Sequence, residues 1–123
     1  MTHSLTMNWT NKSNLTFAAT AVTHSHGTTP TFTPANLPAN GNCSIFVDQS
    51  ANLGPGPVGN YTWTSGTASA GCSYNHPSGT GKTTVTVTPN GCQVSFDGST
   101  WSTQPITSHP TGTNITMSIY ISP

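Results

Sequence analysis

Apolar and polar residues alternate along most of this chain with a period of two, the spacing that sends successive side chains to opposite faces of a strand. Leu5–Met7–Trp9 alternates with Thr6 and Asn8, and Leu15–Phe17–Ala19–Ala21 repeats the pattern. Cys43–Ile45–Val47 follows with Phe46 on the opposite face, then Val58–Trp63, Cys72–Tyr74, Val85–Val87 and Cys92–Val94–Phe96. Ile115–Met117–Ile119–Ile121 is the strongest run and closes the sequence. No segment carries the period of an amphipathic helix.

Turn-forming residues separate these runs: Asn11–Lys12–Ser13, Pro38–Ala39–Asn40–Gly41, Gly54–Pro55–Gly56–Pro57, Pro77–Ser78–Gly79 and Pro89–Asn90–Gly91. Asn90–Gly91, flanked by apolar alternation, predicts a tight hairpin, and Asp97–Gly98 a further turn. Short strands punctuated in this way predict an all-β chain, a single antiparallel β-sandwich domain spanning residues 1–123. Each strand would bury one face, so about twenty apolar side chains would fill the space between the sheets.

Composition changes what such a sandwich can do. Of 123 residues only Lys12, Lys82, Asp48 and Asp97 are charged, while 24 are Thr and 15 are Ser. The outer faces are therefore expected to carry hydroxyls and amides instead of charges. Without a basic patch, nucleic-acid binding is excluded as a leading reading. No apolar run approaches the ~18 residues of a membrane-spanning helix. Residues Met1–Trp9 show neither a basic nor an apolar leader region, so release without a recognisable signal peptide is expected. A surface with net charge near zero also favours self-association.

Catalysis finds little material. No Gly-x-Ser-x-Gly elbow is present, and Asp48 and Asp97, the only carboxylates, fall at strand ends where turn roles are commoner. Gly79–Thr80–Gly81–Lys82–Thr83 looks like a phosphate loop, but its spacing is wrong and no helix follows. The protein is expected not to be an enzyme, with no catalytic residue, cofactor or metal. His24 and His26 lie two apart, as metal-ligand pairs do, but no third ligand is placed near them. Cys43, Cys72 and Cys92 leave three possibilities open: small buried hydrophobes, one disulfide with a thiol left over, or metal ligands.

Aromatic residues are the better candidates for recognition, because Trp and Tyr combine an apolar ring with a polar edge. Tyr61 and Trp63, two apart on one strand, share a face and could form a platform. Trp9 and Tyr74 are further candidates; for Trp63 and Trp9 core packing is the competing role. Trp101 lies in the polar stretch DGSTWSTQP, where a ring has few apolar neighbours and a contact role is expected.

Five segments, in order, resemble the aegerolysin family: MNWTNKSNLTF (7–17), THSHGTTPTFTPANLPANG (23–41), GPVGNYTWT (56–64), CSYNHPSGTGKTTVTVTPNGCQVSF (72–96) and GTNITMSIYI (112–121). Two features depart from the family's pattern. Members usually carry more charge, and their Trp-Asp-Asn-Pro element is replaced here by Tyr74–Asn75–His76–Pro77, which lacks the carboxylate. The resemblance implies an actinoporin-shaped β-sandwich that binds a membrane sphingolipid headgroup, with His76 in the ligand-facing region. It further implies a perforin-type protein partner, the pair acting as a two-component pore-forming toxin, and association with target-cell membranes. Two alternatives share the composition: a carbohydrate-binding module or lectin, and a self-assembling structural or storage protein.

Overall fold

A computed structural model describes residues 3–49, 55–78 and 81–123. Each predicted alternating run contains a strand, with Leu15, Cys92 and Phe96 left outside: β1 (His3–Asn11), β2 (Phe17–His26), β5 (Asn42–Gln49), β6 (Val58–Ser65), β7 (Ala68–Asn75), β8 (Thr84–Asn90), β9 (Gln93–Ser95) and β11 (Asn114–Ser122). Three very short strands were not anticipated: β3 (Thr31–Thr33), β4 (Asn36–Leu37) and β10 (Ile106–Ser108). No helix occurs among the described residues, and so none is long and apolar enough to cross a membrane.

The strands form two sheets, ordered β3-β5-β1-β11-β9 and β10-β8-β7-β6-β2-β4. They pack as a sandwich, as expected of an all-β single domain. All described pairings are antiparallel except one: the first and last strands, β1 and β11, run parallel in the centre of the five-stranded sheet, with Leu5 opposite Ile115 and Asn11 opposite Ile121. This pairing sets up two poles. At one lie the start of β1, the start of β11 and the β7–β8 turn; at the other lie the ends of β1 and β11. Nine residues of strand separate them, about 30 Å at ~3.3 Å per residue.

Alternate residues of β1, β5, β6, β7, β8 and β11 face inward, whereas β2, expected to bury one face, buries only Phe17. Leu5, Met7 and Trp9 of β1 meet Tyr61 and Trp63 of β6 and Cys72 and Tyr74 of β7, all 2% exposed or less. The outer face of the six-stranded sheet is a hydroxyl and amide lattice, as the composition required. One cross-strand row runs Thr107–Thr86–Ser73–Asn60–Thr23. Thr86 and Thr107 hydroxyls hydrogen-bond at 3.0 Å, Thr20 and Thr64 at 3.0 Å, and the Thr23 hydroxyl donates to Asn60 Oδ1 at 2.9 Å. Neighbouring side chains thus satisfy one another where a typical protein would place charges.

The sheets end on strands of two or three residues, β3, β9, β10 and β4. Short edges limit templated pairing with other chains. Most of β2 lies beyond the reach of β4, which pairs only with Phe17 and Ala18. That open stretch is broken by register shifts after Thr20 and after His24, and by Ala21 at a φ of 50°; both distort it as a pairing surface.

The predicted Asn90–Gly91 hairpin requires correction. β8 belongs to the six-stranded sheet and β9 to the five-stranded one, so Asn90–Gly91, with Gly91 at a φ of 73°, carries the chain between sheets. The tight hairpin lies elsewhere, at Gly66–Thr67 between β6 and β7. The three cysteines are all free and buried, which selects the small-hydrophobe reading.

Candidate functional site

The residues proposed for recognition divide among three places. Four belong to the core. Trp9, Tyr61 and Trp63 are fully buried and Tyr74 is 2% exposed. Tyr61 and Trp63 do share a face, but it is the inner one, so the expected platform is not available to a ligand. Their rings pack edge to face with Trp9 and Phe32, with centroids 5.5–6.3 Å apart, the arrangement favoured by ring quadrupoles. Trp9 Nε1 donates to the Tyr61 hydroxyl at 2.8 Å, which in turn donates to Met7 Sδ at 3.4 Å. Burial raises the Tyr61 hydroxyl well above the usual tyrosine range and pushes Tyr74 up to about 12. These phenols stay neutral.

His76 is sealed as well, at 1% exposure. It continues the inward series Ala68, Ala70, Cys72 and Tyr74 one step past the end of β7. Its Nε2 donates to the Thr113 carbonyl at 2.8 Å, and its Nδ1 accepts from the Thr83 hydroxyl at 2.7 Å. The backbone acceptor fixes this neutral tautomer. His3 stacks on it, rings 3.9 Å apart and inclined by 16°. The two imidazoles close one pole of the sandwich, tying the β7–β8 turn to the segment before β11.

Burial lowers the pKa of His76, the Thr113 hydrogen bond opposes this, and the neighbouring His3 ring adds to the lowering. The unfolded chain therefore takes up this proton first. The stability due to neutral His76 is complete above the unfolded value of ~6.5 and is lost as pH falls through the lower folded value. The urea midpoint should accordingly fall between pH 7 and pH 5, and His76→Gln, which retains a donor for Thr113, should flatten that fall. An unchanged slope in the variant would refute the assignment.

Trp101 alone among the proposed residues is reached by solvent; it is half-buried at the opposite pole. The turn before it is firmly built. Asp97 Oδ1 accepts from the backbone N–H groups of Thr100 at 2.7 Å and Ser99 at 2.8 Å, and from the Ser95 hydroxyl at 2.9 Å. These bonds, Thr100 first, hold the Asp97 carboxyl well below the usual carboxylate range. Gly98, at a φ of 76°, lies so close to Tyr120 that an added Cβ would stand 3.3 Å from the ring. Lys12 Nζ lies 5.8 Å from the centre of that same ring.

Beside this loop the β1–β2 turn presents Leu15, which is 44% exposed. Buried Asn11 shapes that turn, accepting from Ser13 N–H at 2.9 Å and Ser13 Oγ at 2.7 Å while donating to the carbonyls of Leu15 at 2.6 Å and Pro38 at 3.0 Å. One pole thus carries a half-exposed Trp, an exposed Leu and a Lys on two braced turns, with Tyr120 of β11 in contact with Gly98 of one turn and near Lys12 of the other.

Sequence reasoning missed a second feature at the His76 pole. An open cleft of about 420 Å³ lies there, lined by His3, Lys82, Thr83, His109, Thr111 and Thr113 among others. Three separate segments contribute, the start of β1, the β7–β8 turn and the stretch before β11, and only the β1–β11 pairing brings the first and last of them together. No spacing in the sequence signals it. The two carboxylates also separate between the poles. Asp48 sits opposite Ser4 near the start of β1. Asp97 is bound to Ser95, which pairs with Tyr120 opposite Thr10. Six residues of strand, about 20 Å, keep them too far apart for a glycosidase pair. Among the described residues no cluster of three metal-ligating side chains occurs.

No protein-family model matches the chain, and no curated protein matches it.

Proposed function

We propose that the protein is a non-enzymatic, aegerolysin-like module that docks on membranes bearing sphingolipid-type headgroups, as the targeting half of a two-component pore-forming system. The Trp101 pole carries this reading. A half-exposed Trp after one turn and an exposed Leu on the other suit the boundary between headgroups and acyl chains, and Lys12 can lay its stem on apolar surface while its ammonium meets headgroup oxygens. Both turns are held by buried or charge-assisted hydrogen bonds, so little ordering cost accompanies docking. The lectin alternative loses its strongest support because Tyr61 and Trp63 face inward. Short edge strands and the interrupted β2 edge likewise weaken the assembly reading.

Co-sedimentation with vesicles tests the proposal, comparing sphingomyelin and ceramide phosphoethanolamine with phosphatidylcholine alone, and with free sugars as competitors. Selective pelleting with one sphingolipid is expected. Trp101→Ala should weaken it about tenfold, the effect of removing ~1.4 kcal/mol. Trp9 and Trp63 are buried, so a blue shift of tryptophan emission on binding would report Trp101 itself. Pelleting with no lipid, or competition by sugar, would overturn the reading.

A further inference from the structure

The cleft at the His76 pole has a chemistry that lipid docking at the other pole does not use. Lys82 is one of only two lysines in the chain, and it is exposed at the cleft wall. Neither carboxylate lines the cleft. Asp48 borders a separate groove with Gly27, Thr28 and Gln49, and Asp97 is consumed by its own turn at the far pole. In a chain with almost no other charge, an ammonium at the wall of a recess that no carboxylate lines contributes strongly to the local potential.

The histidines around it are oriented by the backbone. His3 Nε2 donates to the Pro77 carbonyl at 2.6 Å, and His109 Nδ1 donates to the Thr83 carbonyl at 3.1 Å. Carbonyls only accept, so each ring is pinned through one nitrogen. The second nitrogen, Nδ1 of His3 and Nε2 of His109, has no protein partner among the described residues. Each can accept from a protonated ligand oxygen, or donate once the ring takes up a proton. Thr111 and Thr113 add hydroxyls that donate or accept. Buried His76 bonds both Thr83 and Thr113, so two walls of the cleft are held in fixed relation before any ligand arrives.

We infer that this cleft binds a tetrahedral oxyanion, the phosphate or sulfate group of a small ester, with Lys82 as the charged anchor and His109, His3, Thr111 and Thr113 as hydrogen-bonding walls. Gly81, Lys82 and Thr83 line this wall, and the lysine acts from the segment before β8 and not from a loop before a helix. The volume, about 420 Å³, exceeds a bare phosphate and leaves room for a small organic group. The inference stands apart from the lipid reading, because the two surfaces lie at opposite ends of the sandwich.

Titrating the full chain with inorganic phosphate, sulfate and acetate, followed by amide and imidazole NMR shifts, tests it. Saturable shifts at His3, His109 and Thr111 are expected for phosphate and sulfate, with a dissociation constant on the order of 1 mM, and much weaker ones for planar acetate. Lys82→Ala should weaken binding about tenfold and His109→Gln about threefold, while Lys12→Ala at the far pole leaves it unchanged, a contrast that charge-assisted contacts at one site require. Lys82 and His109 are both exposed, so these variants should keep the wild-type melting temperature. Phosphoethanolamine and a sugar sulfate, run as separate arms, distinguish a lipid-derived ester from a soluble one. Shifts that rise linearly without saturation, or an equal loss in Lys12→Ala, would overturn the proposal.

Discussion

Trp63→Ala is expected to lower the free energy of unfolding by about 3–5 kcal/mol, a large fraction of the ~5–15 kcal/mol available to a domain. The side chain is fully buried, and its ring contacts Trp9, Phe32 and Tyr61 at centroid distances of 6.1, 5.6 and 6.0 Å. Truncation would leave a cavity between two sheets whose backbones are fixed by ladder hydrogen bonds, so collapse around it is limited. Trp63→Phe should be far milder, below about 2 kcal/mol, because Trp63 Nε1 has no hydrogen-bond partner among the described residues and none is lost. Trp9→Phe differs in kind: it strips the 2.8 Å bond from the buried Tyr61 hydroxyl, which keeps only its weak donation to Met7 Sδ, and should cost about 1–3 kcal/mol for the oxygen left without a donor as well as the lost ring area. Urea denaturation of the three variants measures this. Equal losses for Trp63→Phe and Trp63→Ala would show that the indole is not packed as described.

The same residues explain what was legible in the sequence. Tyr61 and Trp63 alternate with Asn60, Thr62 and Thr64, and polar residues at every second position already indicated which face met water. The pattern located the strand correctly; treating its aromatic face as a ligand platform set aside the orientation that the pattern carried. His76 is similar, since it extends the inward series of β7 by one step. Trp101 had no alternating neighbours, and it alone is partly exposed. Leu15 began a predicted run, yet it lies before β2 and is 44% exposed, because the Asn11-centred turn occupies that stretch.

What escaped is what local pattern does not encode. Strands β3, β4 and β10 span two or three residues, too few to display a period. Asn90–Gly91 permits a sharp reversal, but whether the next strand pairs with β8 or crosses to the other sheet depends on β11, whose edge β9 completes. The oxyanion cleft depends on the parallel β1–β11 pairing, a contact between the two ends of the chain.

Gly56→Ala should be the most damaging small substitution at the cleft pole, at about 3 kcal/mol, from the left-handed backbone penalty and the overpacking together. Gly56 has a φ of 76°, and a Cβ there would run into the carbonyl oxygen of His76, with the backbone N of Ser78 at 3.0 Å. Those atoms are main chain and cannot swing aside as a flexible side chain would. The adjacent Pro57 carbonyl accepts the His76 N–H at 2.9 Å, so relieving the clash pulls on the bond that seats His76, and through it on Thr83 and Thr113. Gly66→Ala supplies the control. Its φ of 57° carries the same backbone penalty, but nothing lies within 4 Å of the added Cβ, so about 1 kcal/mol is expected. The difference between the two variants isolates the packing at His76. Hydrogen exchange should locate it, with the His76 amide losing protection in Gly56→Ala and keeping it in Gly66→Ala. Matching stabilities for the two alanines would mean that the loop yields freely, and that His76 is held by its own ring hydrogen bonds and not by the backbone beneath it.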